Sequence, residues 1–398
     1  MSAIGGMNAQ QLLDEKRALE YSIGKLDLSM ARGANWLISQ FAPAGPIMRE
    51  RDLSLCHKVT WGLFEDGRLA EVNRLLDWIE ANAKLGVGRY MFPEEPPFQS
   101  EMQLLYRLLT FAKVAEAIRH PAFANDATRK EILTYQHSSG GVFGNKDKPE
   151  HMKTFNPLFT SFFGEWALAA GLDRPAKKAG DSIVRMVDLN KPHMRDSGRF
   201  YYNYDYKAGK LATECGPGDC LNTFIDVVGT KQHFYHIGTA MAFLADLYKA
   251  TQESRYLEAA EELADFERRL NPVGLRWPSY CKIGWGAGEL YGATGKPEHR
   301  IAAANVSHIT FMAAQKASGG WSHMFYPVRG DGIWRTVEYD GTERVPTRLP
   351  EDGSWALLSG IEITGEFLGE MGRTLKNFKA MHGRICRRLE ALGLPTEK

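Results

Sequence analysis

The chain has 398 residues, of which 44% are hydrophobic and 24% charged, with a formal net charge of +1. That balance gives no electrostatic case for a nucleic-acid partner or an anionic membrane. No run of about 18 uncharged apolar residues reads as a membrane span. The first residues show no basic region followed by an apolar run, and the five cysteines are an odd number. Both features fit a reducing, cytoplasmic setting better than a secreted disulfide framework.

In chain order, the pattern predicts alternating helices. Residues 8–40 read as a long outer helix, and 50–66 as an inner helix apolar on most sides. Outer helix two covers 69–84, and inner helix two covers 101–118. Outer helix three is 127–136, inner helix three 155–171, and outer helix four 175–189, with a long aromatic and polar loop at 190–229. The clearest unit follows. Residues 231–249 are apolar all round, as a helix buried on every side must be, and 255–269 carry an apolar stripe with acids elsewhere. Inner helix five ends in Leu290-Tyr291-Gly292-Ala293-Thr294, echoing Leu247-Tyr248-Lys249-Ala250-Thr251. Such self-similarity marks a repeat architecture. Outer helix six is expected at 298–315 and inner helix six at 353–371, with a polar helical tail at 373–398. Gly45, Gly88, Gly140, Gly198, Gly274 and Gly319 sit at the outer-to-inner crossings. Helices that are apolar all round pack on one another, and amphipathic ones clothe them. The expectation is an all-α (α/α)6 barrel filling residues 1–398 as one domain.

Two crossings carry a sharper signature. Arg32-Gly33-Ala34-Asn35-Trp36-Leu37-Ile38-Ser39-Gln40 and Phe311-Met312-Ala313-Ala314-Gln315-Lys316-Ala317-Ser318-Gly319-Gly320-Trp321 resemble the QW motifs of the terpenoid-cyclase and protein-prenyltransferase toroids. Gln136-His137-Ser138-Ser139-Gly140-Gly141-Val142 is a weaker copy. The resemblance implies the toroid scaffold and a helix-capping glutamine. The Asp-x-Asp-Asp acid of the polyene cyclases is absent from the sequence, so the resemblance does not extend to that proton donor.

Candidate chemistry gathers at the crossings. Tyr90, Phe143, Tyr201, Tyr202, Tyr204, Trp277, Tyr280, Trp321, Tyr326 and Trp334 are candidate walls of a substrate cavity, though each is as readily a packing residue. His233 and His236, three apart at the head of inner helix four, are candidate acid–base groups, and Asp226 a carboxylate partner. Loop aspartates more often brace turns. Cys215, Cys220, Cys281 and His323 resemble a zinc site of the lanthionine-cyclase type only in residue kind, because that family's Cys-His-Gly and Trp-Cys pairs are missing. No metal is expected. No phosphate-cradling glycine loop occurs, and no cofactor is expected. Gly284, Gly286 and Gly288 read as positions of close helix packing. The function expected first is proton-transfer chemistry (cyclisation, dehydration or isomerisation) on an isoprenoid- or polyketide-like small molecule. The rival is a carbohydrate enzyme on the same barrel, a glycoside hydrolase, uronate lyase or sugar epimerase. A binding toroid without catalysis is the third reading.

Overall fold

A computed structural model of the chain describes residues 3–41, 53–90, 97–144, 154–214, 223–321, 336–337, 343–344 and 354–394. The helices alternate as the pattern requires. The outer ones are α1 (Ala9–Ser39), α3 (Leu69–Ala83), α5 (Asp126–Leu133), α7 (Asp173–Asp196), α9 (Ser254–Glu267) and α11 (Pro297–Val306). The inner ones are α2 (Leu53–Glu65), α4 (Pro97–Ile118), α6 (Pro157–Ala169), α8 (Tyr235–Thr251), α10 (Cys281–Thr294) and α12 (Ser354–Ala391). Each inner helix packs on the next, and α12 closes the ring against α2. An outer helix returns the chain between successive inner helices, so the six inner helices run the same way and their N-terminal ends share one end of an (α/α)6 barrel. None of the described helices is long and apolar enough to cross a membrane.

Local chemistry sets the ends. Asn8 caps α1 in a reciprocal capping box with Gln11, satisfying two otherwise orphaned amides. Asn125 and Asn156 cap α5 and α6 in the same way from one side. Along α1, Leu12, Leu19, Leu26, Met30, Ala34 and Leu37 face the barrel and are buried. Among the described residues, strands are confined to short antiparallel ribbons, such as Arg199–Tyr201 with Phe224–Asp226.

The glutamine motifs build the same joint twice. Gln136 Nε2 donates to the Gly140 carbonyl and to Pro175 O, and Gln315 Nε2 donates to the Gly319 carbonyl and to Ser29 O. Gly140 and Gly319 both adopt left-handed backbone, at φ of 97° and 105°. A side chain on either would meet the backbone oxygen of a neighbouring outer helix, Lys178 or Arg32. Each glutamine thus ties the end of one hairpin to the next outer helix.

Several boundaries depart from the sequence reading. Helix α8 begins at Tyr235 rather than 231, which leaves His233 ahead of its first turn. Helix α7 continues to Asp196 through Pro192, so the expected loop at 190–229 begins later. Asn190 lies inside it, holding the ribbon through Nδ2 to Tyr201 O and Oδ1 from Tyr201 N. Outer helix six stops at Val306 and continues as a wide π-type turn, Ser307–Phe311, then a tight one, Met312–Ala314. The expected tail is no separate element, because α12 runs unbroken through residue 373 to Ala391.

The glycine run packs closely, since an added Cβ at Gly284, Gly286 or Gly288 would meet Val306, the Gly238 carbonyl oxygen or Thr374, and Gly238 does the same from the facing helix. Gly238 of α8 lies against the Lys282 backbone of α10, where an added Cβ would stand 2.1 Å from the Lys282 carbonyl carbon. Backbone cannot yield as a side-chain tip can. Gly238→Ala is therefore expected to destabilise the protein by about 1–3 kcal/mol or more. Urea unfolding of the variant, with a midpoint equal to that of the parent, would contradict this packing.

Candidate active site

The N-terminal ends of the inner helices bring a charged group to the barrel axis. Lys58 comes from α2, Cys281 and Lys282 open α10, and Glu362, Glu366 and Glu370 stand one turn apart on α12. Lys58 Nζ lies 2.7 Å from Glu362 and also pairs with Glu366. Lys282 pairs with Glu366 as well, and its Nζ lies 3.4 Å from Glu370. One helix supplies a stripe of three carboxylates, and two lysines from its two neighbours interleave with it. Apart from Glu362, which is partly open, these side chains are all buried.

Charge is nearly balanced within the group. Burial works against the Lys58 ammonium, yet Glu362 and its other neighbours hold its pKa above the ordinary lysine value. Burial raises the Glu370 carboxyl, with Lys282 opposing the shift. Burial likewise pushes the Cys281 thiol well up. Cys281, Glu366 and Glu370 place a sulfur and two carboxylate donors within 4.8 Å of one another. Lys58 and Lys282 already supply cations to these carboxylates, which leaves an ion-paired floor rather than an evident metal cage.

The two histidines stand beside this floor. His236, in the first turn of α8, is buried, and its ring stacks on Tyr202 at 4.2 Å. Its Nδ1 is buried without a hydrogen-bond partner. His233 Nδ1 lies 3.2 Å from the Tyr202 hydroxyl, and the two imidazole centroids are 6.2 Å apart. Burial lowers His233 to about 4. His236 is pushed well below its ordinary value by burial, then by His233 and Lys282. Both are neutral imidazoles at neutral pH, able to accept a proton. Tyr235 lies between them and the floor, 4.6 Å from His236 and with Lys282 Nζ 5.9 Å from its ring centre. On the far side, Tyr106 of α4 stands edge-on to His57 at 5.2 Å and lies 5.5 Å from Lys58 Nζ.

Of the aromatic residues expected as cavity walls, Tyr202 is the one whose ring meets the histidines. The others that the structure describes are placed in packing roles. Tyr90 donates to Glu80 and lies on Phe123, between α3 and α4. Phe143 and Tyr204 join a small satellite cluster around Phe155. Tyr201 packs on His193 and Phe224. Tyr280 donates to Glu267 and lies on Phe234. Trp321 donates to the Phe311 carbonyl and packs on Phe367. Trp277 is buried, with Lys231 Nζ 5.6 Å from its ring centre. Tyr326, Trp334, Cys215, Cys220 and His323 lie outside the described residues.

Asp226 is a turn brace. Its Oδ1 accepts from the amides of Val228 and Gly229, at 3.0 and 2.6 Å, and Gln232 bonds both its amide and its carbonyl. The chain leaving the ribbon thus turns sharply into α8. Asp226→Ala is expected to cost about 1 kcal/mol while leaving turnover within a few-fold of the parent. A loss of turnover without loss of stability would instead return Asp226 to the chemistry.

Sequence reasoning missed the floor. Lys58, Lys282 and Glu366 are charged positions set among apolar residues of inner helices, and those charges are the signal. A separate pocket of about 240 Å³ lies outside the ring, lined by Met7, Gln11, Asp14, Glu15, Pro297 and Arg300. Glu15 there is engaged by Arg300 and Tyr291, and none of its lining residues belongs to the floor or the histidine pair.

No protein-family profile matches the chain, and no curated protein matches it in sequence. Solved structures share its fold. A D-mannose isomerase superposes with a TM-score of 0.58 at 10% identity, over 88% of this chain and 97% of its own. A cellobiose 2-epimerase from Spirochaeta thermophila gives 0.53 at 12%, over 90% and 98%. A family 76 glycoside hydrolase (mannosidase) from Bacteroides thetaiotaomicron gives 0.50 at 12%, over 92% and 99%.

Proposed function

We propose that the chain is an enzyme that moves a proton between carbons of a hydroxyl-rich small molecule, in class a sugar isomerase or epimerase. The observation that carries this reading is the ion-paired floor beside a neutral histidine. A hydrocarbon substrate gains nothing from two lysines and three glutamates, and desolvating them against it is costly. A sugar replaces their lost water with its own hydroxyls. This is why the isoprenoid reading gives way to its rival. The shared barrel of the D-mannose isomerase and the cellobiose epimerase supports the choice.

In this reading His236 removes a proton from the carbon next to the sugar carbonyl. The electron pair moves into a carbon–carbon double bond, and the carbonyl oxygen becomes an enediolate oxygen held by Lys282. Protonation of the neighbouring carbon, with the hydroxyl proton of the first carbon passing to the enediolate oxygen, gives the isomer, and return of a proton to the first carbon from the other face gives the epimer. His233, tied to the Tyr202 hydroxyl, is the second base. Hydrolysis is less well served. Glycosidases place two carboxylates on opposite sides of the bond, about 5–9.5 Å apart, whereas these carboxylates share one helix and are bridged by lysines.

The test is incubation with D-mannose, D-glucose, D-fructose and cellobiose in deuterium oxide, followed by proton NMR. Loss of the signal of the proton on the carbon beside the carbonyl (C2–H of the aldoses, a C1–H of fructose), with appearance of an isomer or epimer, is expected for at least one of them. Cleavage of the glycosidic bond without exchange would favour the hydrolase, and inertness towards all four would remove the sugar reading for these substrates.

A further inference from the structure

A second group of buried polar atoms lies deeper along the axis. Trp61 follows Lys58 by three residues and Trp285 follows Lys282 by three, placing both about 4.5 Å further along their helices. With Phe162 of α6 they form an aromatic layer, with ring centres 5.2–6.1 Å apart and the rings set edge to face. Lys113 of α4 reaches this layer, its Nζ 4.2 Å from the Trp61 centre, 5.2 Å from Trp285 and 5.4 Å from Phe162. That Nζ is buried with no hydrogen-bond partner, and so are Glu165 Oε1 and Ser161 Oγ, one turn apart on α6. Lys113 and Glu165 feel each other's charge but form no ion pair.

Two buried groups of opposite kind ordinarily close on each other, because an unmade hydrogen bond in the interior is costly. Here the aromatic rings hold the amine, and the carboxyl and hydroxyl oxygens on α6 are left without partners. A hydroxyl, which both donates and accepts, answers all of them. The aromatic faces beside it suit the C–H face of a polyol. Phe162 also touches Tyr106, 4.7 Å between centres, so the layer is continuous with the walls of the floor above.

We propose that Lys113, Glu165 and Ser161 form a deep hydroxyl-binding subsite, walled by Trp61, Phe162 and Trp285, that holds the far end of an open-chain sugar while its carbonyl end lies at His236. This rests on the proposed function for the identity of the substrate, and on the unpartnered atoms for its place. Burial raises Glu165 to about 8 and lowers Lys113, so burial works against the charged form of each. Chain length is the property such a subsite reads: a hexose reaches it with its terminal hydroxyl, and the pentose one carbon shorter does not.

Two measurements test it, with the parent and the double variant Lys113→Met/Glu165→Leu. Removing both polar partners together avoids stranding one of them, so the variant is expected to fold. The first measurement is a crystal structure soaked with D-mannitol, which cannot isomerise. A mannitol hydroxyl bridging Lys113 Nζ and Glu165 in the parent, and lost in the double variant, is expected. Water alone at those atoms overturns the subsite, and mannitol persisting in the double variant marks an adventitious additive only, which also overturns it. The second is steady-state kinetics on D-mannose and D-lyxose, its homologue lacking C6. The double variant is expected to raise KM for mannose about tenfold or more with kcat little changed, and to leave lyxose nearly unaffected. An equal effect on both sugars overturns the length-reading role. If neither sugar is turned over by the parent, the soak still decides the subsite, and the catalytic reading fails separately.

Discussion

His236→Ala is expected to lower kcat by about 10² to 10⁴, the usual worth of a positioned acid–base group, while the protein stays folded. His236 stacks on Tyr202 and borders Lys282, yet its Nδ1 makes no hydrogen bond that the fold depends on. Circular dichroism should therefore match the parent, and the fall should appear in kcat and kcat/KM alike, as it does when a transition-state interaction is removed. Near-parental turnover would move the base elsewhere on the floor. The pH profile adds a second reading. Burial keeps His233 at about 4, so if it serves as a base, kcat/KM should stay level through neutrality and fall as pH drops through about 4. Stability follows the same sign. The unfolded chain protonates its histidines near 6.5, whereas the folded chain resists. The histidine contribution to stability is therefore whole above about pH 6.5 and is lost progressively as pH falls towards 4.

Arg373→Ala is expected to be the most destabilising single change in the barrel, at about 3–5 kcal/mol. Near the C-terminal ends of the inner helices, Arg373 of α12 pairs with Asp246 of α8 and lies 2.7 Å from Glu289 of α10. Lys249 reaches both acids at 2.5 Å, and Asn377 donates to Glu289 at 2.9 Å. Burial works to raise Asp246, but Arg373 and Lys249 hold its pKa well below the ordinary carboxylate range. Without the guanidinium, two buried carboxylates share one lysine. The loss should show in urea unfolding and grow with pH, since acid can neutralise the stranded carboxylates. A cost below about 1 kcal/mol would mean that water enters to solvate them.

Periodicity carried most of the fold, because an inner helix of a closed ring has no solvent side and is apolar over most of its circumference. The helix ends were less legible. Pro192 reads as a breaker, but α7 absorbs it beside Asn190, whose side chain supplies hydrogen bonds to the adjoining ribbon. The site was half legible. His233 and His236 stood out by residue type, and the structure brings them together with Tyr202. The aromatic wall did not follow from composition, since a ring at a crossing packs against whatever is nearest, as Tyr90 and Trp321 do. The floor was written in single letters, Lys58, Lys282 and Glu366, within apolar helices. Their meaning depends on partners about 80 to 310 positions away, a separation no local pattern reports.

The closure of the ring by α12 also bears on how the molecule is made. Lys58 and Lys282 find their carboxylates, and Asp246 and Glu289 their guanidinium, on the last inner helix to leave the ribosome. Until then α2 and α10 present bare apolar faces and charges already committed to the interior, so the growing chain has no half-barrel that is content in water. Pairings across so much sequence are slow to find, and partly built chains of this kind are prone to aggregate. Stopping translation before residue 354 should therefore yield a protease-sensitive, chaperone-bound product rather than a smaller stable domain, and permuting the chain to begin at α12 should shorten the exposed interval.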